Sequence, residues 1–211
     1  MEAEFWHERW GSNNIGFHEK KPNDLLIKHF NRLKLEKDSC LLLPLCGKTH
    51  DIAWLLSKGH RVVGVELSEI AIQQLFEELN LQPTLTQQGK LKHYSSNKLD
   101  IFAGDLFNCT QEHLKSIDAI YDRAALVALP KDMRMRYTSH LKAITQNAPQ
   151  LLISFEYDQA QMEGPPFSIS TKEIEKHYSD SYKITHLEEC VVGGRLKSKV
   201  DAMEHIWLID K

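Results

Sequence analysis

The chain has 211 residues, 42% hydrophobic and 26% charged, enough apolar material for a sizeable core and too much for a disordered chain. Its 26 Lys and Arg stand against 29 Asp and Glu, a formal charge of -3 that gives no electrostatic case for nucleic acid or an anionic membrane. No apolar run approaches the roughly 20 residues that span a bilayer, and the acidic, aromatic start Met1-Glu2-Ala3-Glu4-Phe5-Trp6 is unlike a secretory signal, so a cytoplasmic protein is expected. Cys40, Cys46, Cys109 and Cys190 form no C-x-x-C pair. The eleven histidines are scattered, with no H-E-x-x-H and no close His/carboxylate cluster, so no metal site is expected.

In chain order, Leu25, Leu26, Phe30 and Leu33 share a helical face over residues 24–33. Cys40-Leu41-Leu42-Leu43, stopped by Pro44, reads as a buried strand. His50 to Lys58 follows as a helix with Gly59 at its left-handed cap, and Arg61-Val62-Val63-Gly64-Val65 as a second strand ending at Glu66. Ser68 can cap a helix carrying Ile72, Leu75, Phe76 and Leu79. This alternation is the mark of a right-handed βαβ unit. It continues through strands at Ile101–Ala103, Ala119–Tyr121 and Leu151–Phe155 and helices at Lys131–Ile144 and Thr171–Tyr178. Two strand-like stretches near 183–192 and 202–209, with no crossover helix between them, should pair antiparallel. No repeat, low-complexity stretch or linker argues for a second domain. The expectation is an α/β fold, a doubly wound and mostly parallel sheet closed by an antiparallel hairpin. Ligands of such sheets bind beyond the carboxyl ends of the strands.

The first such loop, Pro44-Leu45-Cys46-Gly47-Lys48-Thr49, contains G-K-T, but the earlier glycine of a phosphate loop would fall at Leu42, inside the strand. G-x-G-x-x-G is absent as well, so a ligand without phosphates fits better. Glu66, 19 positions after Gly47, stands where a carboxylate accepts both hydroxyls of a ribose. A phosphate-free nucleoside in this architecture points to S-adenosylmethionine. Arg123, in Tyr121-Asp122-Arg123, can pair with a carboxylate of cofactor or substrate or form an ordinary surface salt bridge. Asp122 can be the partner of a nearby N–H, and Cys46 reads as a small buried hydrophobe rather than a nucleophile. The aromatic run Phe5-Trp6-His7-Glu8-Arg9-Trp10 with Gly16-Phe17-His18 forms either a lid over a flat ligand or an amphipathic helix packed on the sheet. Gly164-Pro165-Pro166-Phe167 either lines a pocket or reverses the chain.

F-W-H-E-R-W at 5–10, I-G-F-H at 15–18, L-L-P-L-C-G-K at 42–48, G-H-R-V-V-G-V-E-L-S-E at 59–69, Y-D-R-A-A-L-V-A-L-P at 121–130, G-P-P-F at 164–167 and V-D-A-M-E-H near the end resemble the thiopurine S-methyltransferases, in their short bacterial form. The resemblance runs from residue 4 nearly to the last residue. It implies a seven-stranded, Rossmann-like class I methyltransferase fold over residues 1–211, with 1–22 as an aromatic lid. S-adenosyl-L-methionine would be the donor and S-adenosyl-L-homocysteine the product. By position, Trp10 and Phe17 match the family's cofactor-covering residues, Leu45 and Gly47 its first cofactor loop, Glu66 its ribose carboxylate, and Arg123 an arginine near cofactor and substrate. Arg195 matches a second substrate-side arginine, within a stretch, Gly193-Gly194-Arg195-Leu196-Lys197, less charged than the family's. Asp105 lies at the adenine side.

The expected reaction is in-line attack of an aromatic or heterocyclic thiol sulfur on the sulfonium methyl. Such thiols are more acidic than a cysteine of pKa about 8.5, so no general base is required, and Arg123 and Arg195 act electrostatically. The modest charge and absence of heptads give no sign of assembly, so a monomer is the default, with a small-molecule thiol as partner and xenobiotic detoxification as the expected setting. The rival expectations are a methyltransferase for selenium or tellurium compounds and a non-catalytic nucleoside-binding protein of the same fold.

Overall fold

The N-terminal aromatic run forms a helix, α1 (Ala3–Gly11). The stripe at 24–33 is split: α2 (Asp24–His29) runs on into a 3-10 turn, Phe30–Leu33. The first apolar run is β1 (Cys40–Pro44), buried at every position as a strand covered on both faces must be. Then come α3 (His50–Ser57), β2 (Arg61–Glu66) and α4 (Glu69–Glu78). Asn23, Thr49 and Ser68 each accept from backbone N–H groups of the first helical turn that follows them, a cap that contributes about 1 kcal/mol. Beyond α4 the chain forms β3 (Thr84–Gln88), β4 (Leu91–Ser96), β5 (Leu99–Ala103), the short α5 (Gln111–Leu114), β6 (Ala119–Arg123) and α6 (Lys131–Ile144). It closes with β7 (Gln150–Glu156), α7 (Thr171–Tyr178), β8 (Lys183–Val191) and β9 (Met203–Asp210).

In the computed structural model, which describes residues 3–193, 196 and 198–211, these strands form one sheet of order β3-β4-β5-β2-β1-β6-β7-β9-β8. The five central strands, β5 to β7, are parallel, and β9 pairs antiparallel with both β7 and β8, as expected of the terminal hairpin. Among the described residues the strand count is corrected from seven to nine. The extra pair, β3 and β4, is joined by a two-residue turn at Gly89-Lys90 and adds to the parallel strands through the antiparallel pairing of β4 with β5. Its residues are mostly polar, and β3 is exposed along almost its whole length, so it lacks the apolar pattern that reveals an interior strand. Such a polar edge also discourages pairing with another chain.

Side chains alternate between two cores. Leu41 and Leu43 face Leu26, Phe30, Ile52, Leu55, Ile72 and Phe76 from α2, the turn after it, α3 and α4. Leu42 faces the other way, into a core with Leu114, Tyr137, Leu141, Ile174 and Tyr178 from α5, α6 and α7. A fully buried Leu or Ile contributes about 1.5–3 kcal/mol, more than any single cap, so the sheet's two-sided burial sets the architecture. Strand β1 is the switch point. The chain passes from it to β2 on one side and later returns to β6 on the other, which opens a crevice at its carboxyl end.

Candidate active site

The turn leaving β1 is shaped by two left-handed residues, Leu45 at φ +48 and Gly47 at φ +53. A Cβ at Gly47 would lie 2.9 Å from Trp10 Cζ2, so glycine is required both by the backbone angle and by the indole resting on it. Gly64 in β2 makes room for the same turn: a Cβ there would lie 2.7 Å from Cys46 Sγ. Cys46 is buried, and burial holds its thiol well above the ordinary range, with Glu66 adding to the effect. It is a packing residue.

Glu66, the last residue of β2, is 5% exposed. Its Oε2 accepts from the Gly47 N–H at 2.7 Å and its Oε1 from the Ser68 N–H at 2.8 Å. Burial raises its pKa, and these hydrogen bonds oppose the rise. A carboxylate oxygen accepts about two hydrogen bonds, so each oxygen retains capacity for a ligand hydroxyl.

Arg123, the last residue of β6, is on the other side of β1. Its side chain is only 11% exposed, and Nη2 pairs with Glu19 Oε1 at 2.7 Å. Nη1 donates to the Phe17 carbonyl at 3.2 Å, while the buried Nε has no partner among the described residues. Burial works against the guanidinium charge; Glu19, Tyr121, Asp51 and Glu204 outweigh it. Strand register places Arg123 opposite Ile153, and Phe155, two residues on, opposite Glu204, so Arg123 and Glu204 share one face of the sheet. Burial pushes Glu204 up to about 7, against the pull of Arg123. Asp51 supports the cluster from α3, accepting from the Asn23 N–H at 2.7 Å and the Tyr121 hydroxyl at 3.1 Å.

Residues 3–22 span both halves of this crevice. Phe17 meets Trp6 and Trp10 edge to face, each at 5.6 Å between ring centroids. Trp10 thus covers Gly47 while Phe17 and Glu19 hold Arg123. The structure therefore brings Trp10, Phe17, Gly47, Glu66 and Arg123 around one crevice. Leu45 is half-buried and packs against the core beside α6. Asp105 is exposed in the loop after β5, where its carboxylate accepts from the Phe107 N–H at 2.9 Å. Arg195 lies outside the described residues. Asp122 faces away from the crevice, accepting from the Tyr137 hydroxyl at 2.6 Å and the Leu126 N–H at 3.2 Å, and burial pushes its pKa up to about 6. The Gly164–Phe167 turn folds back on its neighbours: the Phe167 N–H donates to Val127 O and the Tyr157 hydroxyl to Pro166 O. Glu19, Asp51 and Glu204 were not singled out in the sequence. Only Glu204 carried a signal, as one of two acidic residues, with Asp201, in a resembling string.

The sequence profile of the Thiopurine S-methyltransferase (TPMT) family matches residues 1–209. A thiopurine S-methyltransferase of Xanthobacter autotrophicus is 50% identical over the full length of both chains. That of Teredinibacter turnerae is 44% identical, covering all of this chain and 98% of its own. Among solved structures, an S-adenosylmethionine-dependent methyltransferase of Anabaena variabilis superposes with a TM-score of 0.67 at 13% identity, covering 98% of this chain and 94% of its own. A didemethyltoxoflavin N1-methyltransferase of Burkholderia thailandensis, with bound S-adenosylhomocysteine, gives 0.64 at 15% identity, covering 99% of this chain and 87% of its own. With a profile spanning nearly every residue and relatives this similar end to end, the chain belongs to the thiopurine S-methyltransferase family and is a methyltransferase.

Proposed function

We propose that the chain methylates the sulfur of thiopurines and other aromatic or heterocyclic thiols by in-line transfer from S-adenosyl-L-methionine, leaving S-adenosyl-L-homocysteine. The observation that carries this reading is the pairing of two buried groups across the switch strand: the Glu66 carboxylate at the end of β2 and the Arg123 guanidinium at the end of β6. The first suits a nucleoside and the second an anion. When bound, the donor supplies an electrophilic methyl group on a sulfonium centre.

The residues present fit that donor. Glu66 keeps acceptor capacity on both oxygens for ribose hydroxyls after engaging Gly47 and Ser68. Leu45 and Gly47 form the loop beneath the ligand, Asp105 lies toward the adenine, and Trp10 and Phe17 cover the crevice and exclude water. Arg123, with Arg195, holds a thiolate by charge and orients its sulfur. Aromatic thiols ionise below the cysteine range of about 8.5, so alignment and positive charge suffice and no side chain serves as general base. Residues 1–211 act as one methyltransferase domain with 1–22 as its lid, a cytoplasmic monomer that detoxifies small thiols.

Transfer of labelled methyl from S-adenosylmethionine to thiophenol and 6-mercaptopurine tests the proposal, with catechol and an aryl amine as controls. Methylation confined to the thiols is expected. Donor binding without transfer to either thiol overturns it. Competition from inorganic selenium or tellurium species, with preference over both thiols, shifts the assignment to metalloid methylation.

A further inference from the structure

A second constellation lies on the terminal hairpin, on the opposite face of β9 from Glu204. In a regular strand His186 and Glu189, three residues apart, would point to opposite faces. A bulge between His186 and Glu188 restores their alignment: His186 lies opposite Trp207 and Glu189 opposite His205. His186, Glu189 and His205 therefore share one face, joined by Glu156 from β7, which is two residues beyond Ser154, the partner of His205. We propose that His186 Nε2, His205 Nδ1 and Glu189 Oε2 bind a divalent transition-metal ion of the zinc class, with Glu156 orienting His205 from behind.

Three observations support the site. The two imidazole nitrogens face each other at 3.1 Å, and Glu189 Oε2 is 3.7 Å from His205 Nδ1. The ligand atoms of all three residues lie within 4.8 Å of one another. Zinc bonds of about 2.0–2.1 Å in tetrahedral geometry place donor atoms about 3.4 Å apart, between these two separations. Second, His205 is 7% exposed and its Nε2 has no hydrogen-bond partner among the described residues. With Nδ1 on a metal the proton must sit on Nε2, and Glu156 Oε2 is 3.8 Å from that atom. A carboxylate behind a ligating histidine is the usual outer arrangement of such sites. Third, His186 and Glu189 are exposed on the edge strand, so an ion can enter and keep water in its remaining positions. Imidazole and carboxylate donors together suit zinc, nickel or copper over magnesium or calcium.

The other His/carboxylate cluster among the described residues, His18, His50 and Glu78, lacks these features. There the Lys48 ammonium already sits 2.6 Å from Glu78 Oε1 and takes the place of a cation. Sequence spacing concealed the hairpin site, because its ligands converge only through the bulge and strand register.

Equilibrium dialysis of the full chain against zinc at neutral pH tests the proposal independently of methyl transfer. One equivalent is expected, with magnesium not retained. His186→Ala and Glu189→Gln, both at exposed positions, should each weaken binding at least about tenfold, while His18→Ala leaves it unchanged. Trp207, whose ring lies 4.5 Å from His186 and 5.8 Å from His205, gives a second readout. Copper(II) should quench fluorescence in the parent chain and lose most of that effect in Trp207→Phe. No stoichiometric zinc, or equal affinity in His186→Ala, overturns the site.

Discussion

The carboxyl ends of β2 and β6 flank the same strand yet are built in different ways. At the end of β2, Glu66 is held by two backbone N–H groups from residues adjacent in the fold, at 2.7 and 2.8 Å. These donors move only if the strand or the turn moves. At the end of β6, Arg123 is held by a side chain and a carbonyl from residues 17 and 19, and its Nε is left over. Glu19 is 45% exposed in its side chain against 11% for Arg123, so water competes for the carboxylate far more than for the guanidinium. On the proposed function, the first end would be preorganised for the constant ligand, the methyl donor. The second end would, on the same function, exchange Glu19, which lies outside the sheet, for an incoming anion.

The largest effect should follow from removing the exchangeable end. Arg123→Ala is expected to lower kcat/KM for thiophenol by about 10²–10³, or about 3–4 kcal/mol of transition-state stabilisation, with the thermal unfolding transition retained. A folded variant with full methyl transfer would show that Arg123 is only the anchor of residues 17–19. At the fixed end, Glu66→Gln places an amide NH2 against one of two backbone N–H donors and removes a hydroxyl acceptor. S-adenosylmethionine affinity, read by calorimetry, should fall about ten- to hundredfold, about 1.4–2.8 kcal/mol. Unchanged affinity would break the assignment of that end to the nucleoside.

The contrast also explains what was legible in the sequence. Gly47 and Glu66 belong to one βαβ unit, so strand, turn and carboxylate could be placed from periodicity and punctuation. Helices α6 and α7 fall on the residues predicted for them because their apolar stripes bury against one core. The β6 end draws on residues 17, 19, 51, 123 and 204, and their meeting depends on sheet order, which no local pattern encodes. The hairpin at 84–96 escaped for a related reason: an exposed polar edge carries no hydrophobic period. Arg123 itself was visible as a strand-end cation, but its carboxylate neighbours were not.

Glu204 sharpens the comparison with the smallest effect. Burial favours its neutral form in the folded chain, lifting its pKa from an ordinary 4.5 to about 7. Its cost to stability is absent below pH 4.5, grows as the pH rises toward 7, and is complete above that. Glu204→Gln should therefore leave stability unchanged near pH 4 and raise it by about 1–2 kcal/mol at pH 8, since each tenfold weakening of ionisation on folding costs about 1.4 kcal/mol and solvent screening removes part of it. Paired denaturant titrations at the two pH values read this directly. The same substitution relieves Arg123 of a neighbouring negative charge, so kcat/KM for a thiolate should rise a few-fold at pH 8 and not at pH 6. A stability gain equal at both pH values would mean that Glu204 acts through packing, and the β6 end would then owe its adaptability to Glu19 alone.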